Sequence, residues 1–96
     1  MKNITFEWDK NKAESNLHKH GITFIDAAAV FQDPCCMTVQ DRFENGEYRW
    51  QTLGYSRGVI LLLVAHTYTD SNGTEIIRII SARRATKAER KQYEHG

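Results

Sequence analysis

Apolar and polar residues alternate through ITFEW (4–8), so Ile4, Phe6 and Trp8 share one side of a half-buried strand. Asp9 then stands as a helix N-cap. The stretch KNKAESNLHKH predicts a helix that stops at Gly21, a residue suited to the left-handed position after a helix. Its apolar stripe, Ala13 and Leu17, is thin, so it lies on the surface. A second helix starts at Thr23, with Asp26 in its first turn and Ile22 placed to pack on Ala27. Ala27, Val30 and Phe31 form its buried side, and Asp33-Pro34 ends it.

Beyond Pro34 the apolar period drops from 3.6 to 2. MTVQD (37–41) is a strand, and Asn45-Gly46 predicts a hairpin into YRWQTLGY (48–55). Ser56, Arg57 and Gly58 turn the chain into VILLLVAHTY (59–68), and DSNG (70–73) turns it into TEIIRIIS (74–81). Thr86 and Glu89 form a Thr-x-x-Glu capping box for a last helix from about Lys87 to His95. The expected order is β-α-α-β-β-β-β-α. Its fold class is α+β in two layers, a mainly antiparallel sheet covered by helices. With no repeats and no linker-like stretch, residues 1–96 predict one domain.

Charge changes this picture at one end. Residues 78–96 hold six basic and two acidic residues, whereas residues 1–77 are net acidic. A near-neutral chain with one basic end suits a local anion site better than general polyanion binding. The bland alternative is a solvated basic helix. Cys35 and Cys36 are adjacent, which suits neither an ordinary disulfide nor a metal site, so both are expected as reduced thiols. No secretory signal opens the chain. The longest apolar run, VILLLVA (59–65), is far short of the roughly 20 residues of a membrane span, and the expectation is a cytoplasmic protein without membrane contact.

The candidate chemistry lies on the strands. Arg78 sits between isoleucines, where an unpaired charge is costly, and needs a carboxylate, carbonyls or an external phosphate. Arg83 and Arg84 follow where strand gives way to helix, a place suited to anions. Glu47, Arg49 and Gln51 share a strand face. The first two are either a surface pair worth under about 1 kcal/mol or a base and a phosphate contact bracketing a substrate. His66, near the end of the most apolar strand, is either a hydrogen-bonded rim residue or a proton-transfer group. Tyr93, Trp8 and Trp50 are either packing residues or platforms for stacked bases. No glycine-rich phosphate loop, nucleophile elbow or H-E-x-x-H occurs, and no metal or organic cofactor is expected.

FEWDKNKAESNLHKHGITFIDAAAVFQDP (6–34), the E-x-R of GEYRWQTLGYS (46–56) and IRIISARRATKAERKQYE (77–94) together resemble the BrnT family. These are toxins of type II toxin–antitoxin modules. The motif positions fall on Trp8, Asp9, Lys12, Asn16, Lys19, His20, Gly21, Glu47, Arg49, Gly54, Arg78, Ser81, Arg83 and Glu89. In relatives an acidic residue and an arginine often follow the His-Thr that ends the long strand; here Tyr68 and Thr69 stand there.

The resemblance implies a RelE-like fold and a ribonuclease that inhibits translation. It also implies a BrnA-type ribbon-helix-helix antitoxin that masks the toxin and alone contacts operator DNA, with repression of the operon by the complex and a toxin dimer bridged by antitoxin. On this reading RNA is cut by attack of its own 2′-OH. Arg78 and Arg83 steady the phosphorane, and Glu47 or His66 takes the proton. Arg49 and Arg84 grip flanking phosphates, with Lys19 and Lys87 as outer contacts and Tyr93 as a stacking residue. The rival reading is a non-catalytic partner-binding module or corepressor that uses the same basic groove.

Overall fold

In the computed structural model, which describes residues 3–96, the strands form one sheet in the order β1-β5-β4-β3-β2. They are β1 (Asn3–Glu7), β2 (Met37–Glu44), β3 (Glu47–Ser56), β4 (Ile60–Ser71) and β5 (Thr74–Arg84). β2 to β5 form the expected meander of hairpins. Two of the turns, Asn45-Gly46 and Asn72-Gly73, have positive φ at both residues, which matches the strand twist. β1 instead runs parallel to β5, with Asn3 opposite Thr74 and Glu7 opposite Arg78. The sheet is therefore mixed, not mainly antiparallel. Hairpins are written in neighbouring residues, but the partner of β1 lies far along the chain.

Helices α1 (Lys10–His20) and α2 (Phe24–Ala29), with a 3-10 turn at Val30–Gln32, cover one face. Ile22, Phe24, Ala27 and Val30 meet Leu62, Val64, Ile77, Ile79 and Ala82 in the core. Thr23 caps α2 by accepting a hydrogen bond from the Asp26 amide at 3.1 Å. Asp9 occupies the N-cap position of α1, but its side chain makes no cap bond. Helix α3 (Lys87–His95) carries the full Thr86–Glu89 capping box. It lies against the opposite face at one end, beside Met37, Leu53 and Leu63. The other end of that face, around Glu47, Arg49 and Arg78, is left open.

A bulge decides which side chains reach the open face. Ile79 pairs with His66, but Ser81 pairs with Ala65, so Ile80 is an extra residue in β5. Beyond it the alternation flips: Ala82 enters the core, while Ser81 and Arg83 turn to the other face. Strict alternation would have put Arg84, not Arg83, on the face of Arg78.

Where β1 ends, Asn16 of α1 takes over the edge of β5. Its amide oxygen accepts from the Ala82 N–H at 3.0 Å, and its Nδ2 donates to the carbonyls of Ala82 at 2.9 Å and Ile22 at 3.0 Å. A side-chain amide thus imitates a neighbouring strand and locks α1 to the sheet.

Gly54 is the tightest point of β3. A Cβ there would come within 2.9 Å of both Cys36 Cβ and Val30 Cγ1. Gly54→Ala is therefore expected to cost about 1–3 kcal/mol through overpacking. Urea unfolding measures it, and a variant as stable as the parent would show that the core yields there.

Candidate active site

Glu47 opens β3 and points to the open face, as does Arg49 two residues on. Arg78 reaches the same place from β5, across β4. Glu47 Oε1 lies 2.5 Å from Arg78 Nη2 and 3.4 Å from Arg49 Nη2, so one carboxylate oxygen joins two guanidinium groups. Arg49 is the most enclosed, with its side chain 15% exposed and its Nε buried with no hydrogen-bond partner among the described residues. An unmet buried donor costs about 1–3 kcal/mol, so this cluster is not arranged for stability alone. Arg78 is not the buried arginine that its isoleucine neighbours suggest: its side chain is 43% exposed. Those isoleucines flank it along the strand, while the face it occupies is open.

Arg83 shares the face but is engaged. Its Nη1 and Nη2 donate to Glu89 Oε1 and Oε2 at 2.9 and 3.0 Å, a two-pronged pair. Glu89 Oε1 also accepts the Thr86 N–H at 2.8 Å. The Arg83 hydrogen bonds hold the Glu89 carboxyl below the usual carboxylate range against the opposing effect of burial. Sequence reading accounted for Glu89 as a helix cap alone. Its second task shows only once the bulge has turned Arg83 toward α3.

His66 belongs to the other side of the sheet, away from Glu47 and Arg78. It is 2% exposed, and its ring packs edge-on against Phe31 with centroids 4.9 Å apart. Nε2 lies 2.7 Å from Thr52 Oγ1 and Nδ1 lies 3.1 Å from the Thr67 carbonyl, which fits an N–H at Nδ1. Thr52 Oγ1 is 2.8 Å from Thr38 Oγ1, completing a chain that ends at the surface. This placement corrects the pairing of His66 with Glu47 as alternative bases at one phosphate. His66 lines a mainly apolar hollow of about 310 Å3 with Phe31, Thr38, Trp50, Tyr68 and Ile77.

Burial pushes the His66 pKa below its ordinary value, only partly offset by the Thr67 carbonyl. The folded state thus resists a proton that the unfolded chain accepts near pH 6.5. Its contribution to stability is complete above about pH 6.5 and declines as pH falls toward the folded-state pKa. Melting temperature is therefore expected to drop between about pH 7 and 5. His66→Gln should flatten that slope; an unchanged slope would assign it to other groups.

The remaining expected contacts divide. Arg84, the last residue of β5, is exposed and, across from Leu62, turns away from the open face, so it is not grouped with Arg78. Lys87 is exposed in the first turn of α3, at the Arg83 end of the open face. Lys19 is exposed on α1 and lines a hollow at the edge of β5. Tyr93 is occupied: its hydroxyl donates to Asp33 Oδ2 at 2.6 Å, and its ring packs on Tyr55 at 5.3 Å. It anchors α3 and is not a free platform for a base. Trp8 packs edge-on against Phe24. Cys35 and Cys36 are free thiols, and burial pushes the Cys36 thiol up, away from the nucleophilic thiolate. Among the described residues no three His, Cys, Asp or Glu side chains are grouped to hold a metal ion. No described helix is long and apolar enough to cross a membrane.

The chain is similar to known proteins in sequence and in fold. The family model described as "Ribonuclease toxin, BrnT, of type II toxin-antitoxin system" matches residues 8–89. That span contains Glu47, Arg49, Arg78, Arg83 and Glu89. The crystal structure of the ribonuclease toxin BrnT of Brucella abortus superposes with a TM-score of 0.60 at 21% identity, covering 88% of this chain and 100% of that one. No curated protein matches the chain.

Proposed function

Since the chain belongs to the BrnT family of type II toxin–antitoxin ribonuclease toxins, we propose that it cuts single-stranded RNA on the open sheet face, without a metal ion. The observation that carries this reading is the Glu47 carboxylate held between Arg78 and Arg49 beside an open face. The route is internal transfer. The 2′-OH oxygen bonds to the adjacent phosphorus, the bond from phosphorus to the 5′-oxygen breaks, and the products are a 2′,3′-cyclic phosphate and a free 5′-OH. Glu47 takes the 2′-OH proton, and solvent protonates the departing oxygen. Arg78 and Arg83 face the charge that develops on phosphorus, Arg49 holds the neighbouring phosphate, and Lys87 adds an outer contact. Arg83 reaches the phosphate by exchanging the Glu89 carboxylate for phosphate oxygens.

A cytoplasmic toxin of this kind inhibits translation until a BrnA-type ribbon-helix-helix antitoxin covers the open face. That antitoxin also bridges two toxins and carries the complex to operator DNA. One observation favours the rival reading, a partner-binding module or corepressor: Arg78 and Arg83 both already have carboxylate partners within the chain.

Expression of the chain alone, with RNA 5′ ends mapped, separates the two. The expected result is growth arrest with new 5′-OH ends and, with the purified protein, the same cuts in EDTA. Intact RNA and normal growth with a folded protein would leave the binding module.

A further inference from the structure

Asn16 locks α1 to the edge of β5, and residues three or four positions away share its helix face. Lys12 and Lys19 are such residues. With His20, Ser15 and Ser81 they line a hollow of about 270 Å3 between helix and strand. Ser81 was turned to that side by the bulge that also turned Arg83, so the hollow adjoins the face that holds Arg78 and Arg83. Among the described residues no carboxylate lines it. Glu14, the acid of α1, borders a separate hollow with Trp8, Leu17 and Ile25. Neither lysine is in an ion pair among the described residues, whereas Arg78 and Arg83 both are.

A concave site with two unpaired ammonium groups, an imidazole, two hydroxyls and no acid is suited to an anion. The C-terminus of α1 opposes this with about half a negative charge, which the two full lysine charges exceed. Ammonium groups act as point charges and accept a phosphate in many orientations, as a flexible backbone requires. We infer that this hollow is a second phosphate subsite, which holds the RNA backbone beyond the cut as the strand leaves the open face over the edge of β5. The inference rests on the ribonuclease reading and assigns the course of the path: Glu47 and Arg78 at the chemistry, Lys12 and Lys19 farther along the protein surface.

The test uses the purified full chain and a 2′-O-methyl hexanucleotide, which binds but lacks the attacking hydroxyl, beside a dinucleotide with a single phosphate. Fluorescence anisotropy reads affinity over a salt series. The expected result for Lys12→Gln/Lys19→Gln is about tenfold weaker hexanucleotide binding, the equivalent of one lost charge-assisted contact. The slope of log affinity against log salt should shrink by about 0.7, and the dinucleotide should lose much less. Lys10→Gln, which removes one lysine of the same helix outside the hollow, should leave hexanucleotide affinity at the parental value. Equal losses for both ligands, or an equal loss from Lys10→Gln, would overturn the subsite while leaving the ribonuclease reading intact. A parent chain that neither binds the hexanucleotide nor cuts RNA would overturn both.

Discussion

Asn16→Ala is expected to cost about 3–5 kcal/mol, the largest stability loss from a single polar substitution in this protein. The side chain is 6% exposed and makes three hydrogen bonds, all to main chain. Truncation leaves the Ala82 N–H and two carbonyls without partners where water has little access, and each such group costs about 1–3 kcal/mol. A chain of this size has about 5–15 kcal/mol of stability in total, so roughly a fifth or more disappears. The melting temperature should fall by more than about 10 °C. Asn16→Asp separates hydrogen bonding from packing. It keeps the size and the acceptor for Ala82 N–H but sets a carboxylate against two carbonyl oxygens, so it should be no better than alanine. A stable Asp variant would show that the shape of the residue, not its donor, holds α1 in place. On the proposed path of the RNA the loss reaches function as well, because the same lock sets the positions of Lys12 and Lys19 beside Ser81.

What was legible in the chain divides by distance along it. The capping box at Thr86 and Glu89, the Asn45-Gly46 turn and the start of α2 at Thr23 depend on residues within a turn of each other, and each appears as read. The parallel pairing of β1 with β5 does not have that property: nothing in ITFEW selects a partner. The bulge at Ile80 is the more consequential omission. Alternation through EIIRIISARR sets Arg84 beside Arg78, and one extra residue reverses this and brings Arg83 instead. Alternation was equally unable to tell on which side of the sheet the helices would lie. That choice put His66 in the core hollow and left Arg78 exposed, although Arg78 is the residue with the more apolar neighbours in sequence. Composition suggested a basic end; the fold spreads that end over two faces and a helix, and only part of it converges with Glu47.

Glu47→Gln is the variant that most sharply divides chemistry from architecture. The amide keeps the shape of the carboxylate but removes the charge between Arg78 and Arg49. Its structural cost should be small, about 1 kcal/mol or less, because the Glu47 and Arg78 side chains are 35% and 43% exposed and water screens the pair. RNA affinity should hold or rise, since the site becomes more positive by one charge. Cleavage should fall by about 10²–10⁴ if the carboxylate removes the 2′-OH proton, the usual contribution of a positioned general base. The expected signature is thus a lost kcat with no rise in KM. Arg78→Ala should do something different, raising KM and lowering kcat together, because on the proposed route that guanidinium faces the phosphate both before and during the reaction. A Glu47→Gln chain that cuts RNA at the parental rate would reduce Glu47 to a spacer between two arginines, and the proton would have to leave by way of water. Parallel losses of binding and cleavage in both variants would instead mean that Glu47 serves to hold Arg49 and Arg78 apart at the spacing the phosphates require.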